Sequence, residues 1–226
     1  MTAESMVLVV DDDASTRTGL ARILRSGGYA VEAFEGAPQL LARLAKIGVP
    51  CCVVADVRMP GMDGLALQET LSSMGAPTSV VFLTGYADVP TTLRAMKHGA
   101  VDLLEKPVSA EVLLEAVAGA SARARKDAEG RHRVDELRER HRSLTPRERQ
   151  VFALVTAGLL NKQVGFELGT TEKTVKTQRA RVVAKMGACS LADLVRMADL
   201  LGITAPLGGE EKGSRAEPGG RAAVSG

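Results

Sequence analysis

The sequence predicts a doubly wound, five-stranded parallel α/β sheet followed by a small all-α domain of four helices. Three observations predict it. Five short apolar runs alternate with segments of helical period up to about residue 122. From Thr145 to about Leu200, four capped helical segments follow one another with no strand-like run between them. Charge divides the same way: residues 1–122 carry 9 Lys/Arg against 14 Asp/Glu, and residues 144–204 carry 9 against 5. An acidic front and a basic back fit two modules, the second facing a polyanion.

The elements of the first module follow in order. "MVLVV" reads as a buried strand, and Leu20, Ile23 and Leu24 share a face of the helix after it, which Gly27-Gly28 stops. "YAVEAF" is the second strand, followed by a helix with Leu40, Leu41 and Leu44. Cys51 to Ala55 form the third strand and "SVVFLT" the fourth. Asp88 is expected to cap the next helix, with Pro90 in its first turn, where a missing N–H costs little. "AVDLLE" is the fifth strand, and Ser109 caps a helix carrying Leu113, Leu114 and Val117. Strands that are apolar throughout and alternate with helices belong to parallel sheets covered on both faces.

Residues 123–142 are charged and only sparsely apolar, and read as a helical extension or linker. In "LTPRERQVFALV", Thr145 and Glu148 form a capping box with Pro146 at the first helical position, and Gly158 ends that helix. Asn161 is read as the cap of a short second helix ending near Gly169, Thr171 as the cap of a third reaching about Met186, and Ser190 with Asp193 as the start of a fourth. Residues 205–226 are dominated by Gly, Pro and charge and are expected to be disordered.

Composition narrows the function. No apolar run approaches the roughly 20 residues of a membrane helix. The opening "MTAESMVLVVDDD" lacks the basic region and long apolar stretch of a signal peptide, so none is expected. The 3 Cys, two of them adjacent, make neither a disulfide framework nor a metal spacing, which fits a reducing cytoplasm. His98, His132 and His141 form no ligand pattern and read as solvated surface residues.

In a parallel α/β sheet, chemistry lies outside the carboxyl ends of the strands. Asp11, Asp12 and Asp13 follow the first strand; Asp56, Thr84 and Lys106 stand at the ends of the third, fourth and fifth. Carboxylates gathered at one edge repel each other unless a cation neutralises them. A small set of hard oxygen ligands favours Mg²⁺ with several waters over a closed Ca²⁺ cage or a Zn²⁺ site. An acidic loop surface would account for "DDD" alone. It would not account for Asp, Asp, Thr and Lys at the same end of different strands.

Through "VVDDD", "ADVRMPGMDG", "LTGYADVP" and "EKP", in that order, residues 6–122 resemble a response-regulator receiver domain. The resemblance implies that Asp56 is the phosphoacceptor. It implies that Asp11 and Asp12 position Mg²⁺ with Asp56, the backbone carbonyl of Arg58 completing the protein ligands. Thr84 would hydrogen-bond the phosphoryl group, Lys106 would pair with it, and the Lys106–Pro107 bond would be cis. Carboxylate attack on a phosphoryl donor requires such parts: an exposed nucleophile, a metal across the oxygens and a cation for the developing charge. Gly61 and Gly64 suit a loop bending away from the acid, and Met59 and Met62 read as packing residues. Leu103 departs from the family, which commonly has Phe or Tyr there as a rotating switch. Tyr86 is too close to Thr84 in sequence to be taken as its replacement.

Residues 143–204 resemble a LuxR-type helix-turn-helix domain, in particular that of FixJ-like regulators. The resemblance rests on "LTPRERQVFALVTAGLLNKQVGFELGTTEKTVKTQRARVVAKMGACSLADLVRMA". Its third helix would be the recognition helix. There Val175, Val182 and Met186 recur at core spacing, while Lys173, Lys176, Thr177 and Ala180 share another face suited to a major groove. Lys176 and Thr177 are assigned to base edges, Arg179 and Arg181 to phosphates. The alternative is a solvated basic helix face. Gly165 inside the second helix costs about 0.5–1 kcal/mol against Ala, and Gln178 stands where the family often has His. Leu191, Leu194, Val195 and Ala198 form a stripe on the fourth helix that either pairs with its twin in a dimer or packs on its own domain.

The expected protein is therefore a cytoplasmic two-component response regulator: a receiver (6–122), a charged helical linker (123–142), a DNA-binding domain (143–204) and a tail (205–226). A sensor histidine kinase would phosphorylate Asp56. The protein would then bind promoter DNA as a homodimer and work with RNA polymerase, with activation expected over repression. It would be a switch and not a turnover enzyme. One rival is a Mg²⁺-dependent phosphohydrolase with an aspartyl nucleophile, which usually places its general acid two residues later, where this chain has Arg58. A second is a DNA-binding regulator independent of phosphorylation, to which only Leu103 lends support.

Overall fold

The computed structural model describes residues 6–47, 49–85 and 89–203. The expected Asp88 cap, Tyr86 and the 205–226 tail lie outside them. The chain divides into two compact units between Arg133 and Val134.

The first unit runs β1 (Met6–Val10), α1 (Ala14–Ser26), β2 (Ala30–Phe34), α2 (Ala37–Leu44), β3 (Cys51–Asp56), α3 (Gly64–Ser73), β4 (Thr78–Thr84), α4 (Val89–Lys97), β5 (Asp102–Glu105) and then α5 (Ala110–Arg142). Every strand pair is parallel, in the order β2-β1-β3-β4-β5. All six residues of β3 are buried. Their side chains alternate between two clusters, which explains the unbroken apolar run. Cys51, Val53 and Ala55 join Leu40, Leu67 and Phe82 on one face, and Cys52 and Val54 join Leu20, Leu24, Leu113 and Val117 on the other. Burial pushes the Cys51 thiol up to about 12 and the Cys52 thiol up as well, so both are inert packing groups.

Two caps in this unit were not read from the sequence. Asp13 accepts from Thr16 N at 2.6 Å and starts α1, and Asp63 accepts from Ala66 N at 2.7 Å and starts α3. Ser109 caps α5 as expected, accepting from Val112 N at 3.3 Å. The helix does not stop at the end of the sheet layer. It continues through the charged 123–142 stretch to Arg142, and its Leu137 belongs to the core of the second unit.

The second unit contains α6 (Pro146–Thr156), α7 (Asn161–Glu167), α8 (Glu172–Met186) and α9 (Leu191–Leu201) around Phe152, Val164, Val175, Val182, Met186 and Leu194. Thr145, Thr171 and Ser190 cap α6, α8 and α9. Asn161 does not cap α7. The cap position is Leu160, whose N–H donates to Gln163 Oε1 at 2.8 Å, and Asn161 is the first helical residue with its side chain engaged elsewhere. In the α9 stripe, Leu194 and Ala198 are buried in the unit's own core, while Leu191 is exposed. Gly165 is also explained. It is buried where α7 turns back to α8, and a Cβ there would come within 2.9 Å of Thr170 O. The helix propensity given up permits the close approach of the turn.

Glu148 ties this unit together. It is buried, accepts from Thr145 N at 2.8 Å to complete the capping box, and accepts from Lys185 Nζ at 2.7 Å, joining α6 to α8. The Lys185 hydrogen bond, followed by that from Thr145, holds its carboxyl below the usual carboxylate range. A carboxylate with a lowered folded-state pKa contributes stability above its unfolded value, near 4.5, and loses it as pH falls through the folded value. Glu148→Gln is therefore expected to destabilise residues 143–204 by about 1.5–3 kcal/mol at pH 7. The difference from wild type should shrink below pH 4.5 in urea melts followed by circular dichroism. Among the described residues, no helix is long and apolar enough to cross a membrane.

Candidate functional site

The chain leaves β1 for β2 on one side and returns to β3 on the other, so a crevice opens at the carboxyl ends of β1 and β3. The register pairs Val10 with Ala55, which sets Asp11 beside Asp56. Lys106, directly after β5, reaches between them: Nζ lies 2.7 Å from Asp11 Oδ2 and 2.6 Å from Asp56 Oδ1. The other oxygens are also engaged. Asp11 Oδ1 accepts from Asp13 N at 2.9 Å, and Asp56 Oδ2 accepts from Arg58 N at 2.8 Å.

Asp11 is 1% exposed and the Asp56 side chain only 10%, so the expected exposed nucleophile is a recessed one. Burial works against the charge on Lys106, but its hydrogen bonds to Asp11 and Asp56 outweigh this and hold its pKa above the ordinary lysine value. Thr84 is buried at the end of β4, and its carbonyl accepts from Lys106 N at 2.8 Å. The Lys106–Pro107 bond is cis.

The three adjacent acids have three different positions. Asp11 is buried against Lys106, Asp12 is exposed, and Asp13 caps α1. Arg17 Nη1 donates to the carbonyls of Asp11 at 2.7 Å and Asp12 at 3.3 Å, fixing the turn they share. Carboxylates gathered at one edge need a cation among them, and Lys106 is one. Among the described residues, no three His, Cys, Asp or Glu side chains are grouped to hold a metal ion. The oxygen donors at the crevice are nonetheless hard ones, two recessed carboxylates with the exposed Asp12 beside them, and this donor chemistry suits Mg²⁺.

The loop after Asp56 is shaped by glycine and methionine. Gly61 has φ 81°, and Met59 is buried with Met62 packed against the same cluster. Gly64 begins α3 so close to β3 that a Cβ would run into the Asp56 carbonyl oxygen and lie 2.9 Å from the Phe82 ring. Gly64→Ala is expected to destabilise the first unit by about 1–3 kcal/mol. The change should appear as a lowered midpoint in urea denaturation. Leu103 is partly buried against the same cluster as Phe82.

On α8, Val175, Val182 and Met186 are buried, and Lys173, Lys176, Thr177 and Ala180 are exposed together. The Thr177 hydroxyl donates to Lys173 O at 3.2 Å, leaving its oxygen as an acceptor. Arg181 is exposed. Arg179 is half-buried, and its Nη1 donates to Asn161 Oδ1 at 3.2 Å, tying α8 to the start of α7. This tie was missed in the sequence because Asn161 sits where a cap is expected.

The fold and the site define a phosphoacceptor domain joined to a helix-turn-helix domain. Residues 7–118 match the response regulator receiver domain, and residues 142–198 match the bacterial regulatory proteins of the luxR family. The chain is 46% identical over 202 residues to nodulation protein W of Bradyrhizobium diazoefficiens, covering 89% of this chain and 88% of that one. It is 41% identical over 200 residues to the transcriptional regulatory protein FixJ of Azorhizobium caulinodans, covering 87% and 93%. Among solved structures it resembles the response regulator StyR, with TM-score 0.73 and 41% identity over 87% of this chain and 99% of that one. It also resembles full-length FixJ from B. japonicum, with TM-score 0.54 and 39% identity over 89% and 98%. The chain belongs to the FixJ-like two-component response regulators, transcriptional regulators with a LuxR-type DNA-binding domain.

Proposed function

We propose that Asp56 is the phosphoacceptor of a cytoplasmic switch that activates transcription. The observation that carries this reading is the Lys106 ammonium held between the Asp11 and Asp56 carboxylates at the β1/β3 crevice. An Asp56 carboxylate oxygen forms the new bond to phosphorus as the donor's bond to it, in a sensor histidine kinase the phosphohistidine P–N bond, breaks. Lys106 stays protonated and pairs with the phosphoryl oxygens, and Thr84 hydrogen-bonds them. Asp11, Asp12, Asp56 and the Arg58 carbonyl would hold Mg²⁺, which supplies charge neutralisation across the transferring oxygens.

In the second unit, Lys176 and Thr177 read base edges from a face shared with Lys173 and Ala180, and Arg179 and Arg181 contact phosphates. The FixJ-like resemblance favours activation over repression. An activator of this kind works with RNA polymerase at the promoter. The working form is a homodimer made when Asp56 is phosphorylated, through the interface of α4, β5 and α5 that the resemblance implies, on which Leu93 and Met96 of α4 and Val112 of α5 are exposed. Light scattering on the full chain tests this. The mass should double when a small phosphodonor and Mg²⁺ are added, and Leu93→Asp should hold it at the monomer value. An unchanged wild-type mass would refute the dimer.

A further inference from the structure

One side chain holds the acidic turn from behind. Arg17 lies one turn into α1, and its side chain is only 16% exposed. Its Nη1 donates to Asp11 O at 2.7 Å and to Asp12 O at 3.3 Å. A terminal guanidinium nitrogen carries two N–H groups, one for each carbonyl. These carbonyls belong to the peptide groups before and after Asp12, so one side chain grips both peptides that flank that residue. The turn is closed by Asp13 N, which donates to Asp11 Oδ1 at 2.9 Å.

Asp12 needs such a grip more than its neighbours do. The Asp11 carboxylate is anchored by Lys106, and that of Asp13 by Thr16 N. The Asp12 carboxylate is exposed and has no hydrogen bond or ion pair with the described residues. Its position is therefore set by its backbone and its own χ angles. A ligand whose backbone is already ordered loses less conformational entropy when it engages a cation. Glu35 does not explain where Arg17 is held. Its Oε1 stands 3.6 Å from Arg17 Nη2 on a side chain 72% exposed, which makes a weak surface pair.

We infer that Arg17 is a positioning residue for the cation: by clamping both peptides of Asp12, it sets how tightly Mg²⁺ is held. The inference rests on Asp11, Asp12 and Asp56 being the residues that hold Mg²⁺. The sign of the effect separates a clamp from a charge. As a charge alone, a guanidinium near the crevice repels a divalent cation, and removing it would tighten Mg²⁺ binding. As a clamp it orders Asp12, and removing it weakens Mg²⁺ binding. The hydrogen bonds of Arg17 go to Asp11 and Asp12, whereas Asp56 is held by Lys106 and Arg58 N. Transfer to Asp56 should therefore recover once Mg²⁺ is in excess.

The test is a Mg²⁺ titration of the ¹⁵N-labelled full chain, followed at the backbone amides of Asp12, Asp13 and Arg58. The wild type should give saturable shifts. Arg17→Met keeps an apolar stem but loses the donors and the charge, and should bind Mg²⁺ roughly tenfold more weakly. Arg17→Lys keeps the charge without the fixed fork and should fall between the two. Glu35→Gln should match the wild type. Labelling by a small phosphodonor is then measured against Mg²⁺ concentration. Arg17→Met should label slowly at low Mg²⁺ and approach the wild-type rate in excess, a recovery that a variant with a damaged first unit would not make. Wild-type or tighter Mg²⁺ binding by Arg17→Met would overturn the proposal. So would an Arg17→Lys protein that binds like the wild type, or a Glu35→Gln protein as weak as Arg17→Met, which would assign the effect to the ion pair. Absence of saturable shifts in the wild type would remove the Mg²⁺ site itself, and this role with it.

Discussion

Asp56→Asn should abolish phosphoryl labelling by a small phosphodonor with Mg²⁺, while the wild type labels. The substitution preserves size and a carbonyl oxygen able to accept from Arg58 N, so the β3 end should keep its shape. It removes the anionic nucleophile, and an amide oxygen does not replace it in an acyl-phosphate bond. The variant also leaves Lys106 with one carboxylate partner, Asp11, in place of two. Lys106→Ala should behave differently. It leaves the nucleophile in place but strips the cation from two recessed carboxylates, so labelling should fall by on the order of 10²-fold and not vanish. Chelating Mg²⁺ should stop wild-type labelling. Acid-labile phosphate measured on the three proteins, with and without chelator, separates these cases. Undiminished label on Asp56→Asn would move the acceptor to another residue.

The strands were legible because their apolar runs answer a single demand. Each residue of β3 faces one of two helix layers, so no polar residue interrupts it before Asp56. The gathering of Asp11, Asp56 and Lys106 was legible for the same reason: in a parallel sheet, strand ends share an edge. What could not be read was how neighbouring residues of one type divide their work. Asp11, Asp12 and Asp13 look alike in sequence, but one is buried by register, one is exposed and one caps α1. Asn161 and Leu160 show the converse: a good capping residue sits beside the cap position because Arg179, 18 residues on, takes its side chain. Gly165 read as a cost because its reason, the Thr170 carbonyl, lies across a turn.

Lys176→Ala should weaken binding to the specific promoter by about 1–3 kcal/mol and binding to random DNA much less. Lys176 is exposed on α8 beside Lys173, Thr177 and Ala180, opposite the buried Val175 and Val182, so it projects from the side of the helix that does not pack. If it reads a guanine edge, only the correct site offers the partner, and the loss is confined to that site. Arg181→Ala provides the contrast. Arg181 is exposed and its assigned partner is a phosphate, which every sequence provides, so both DNAs should be bound more weakly and the salt dependence should flatten by about one charge. Arg179→Ala should also flatten the slope, but it breaks the tie to Asn161 and should lower the unit's thermal midpoint as well, which Arg181→Ala should not. Anisotropy titrations of residues 143–204 on the two DNAs at several salt concentrations distinguish the three variants. That fragment holds the whole α6–α9 core apart from Leu137 of α5, so a thermal melt of the fragment alone comes first and the full chain serves if it fails to fold. Equal losses on specific and random DNA for Lys176→Ala would make Lys176 a phosphate contact and place the reading face elsewhere on α8.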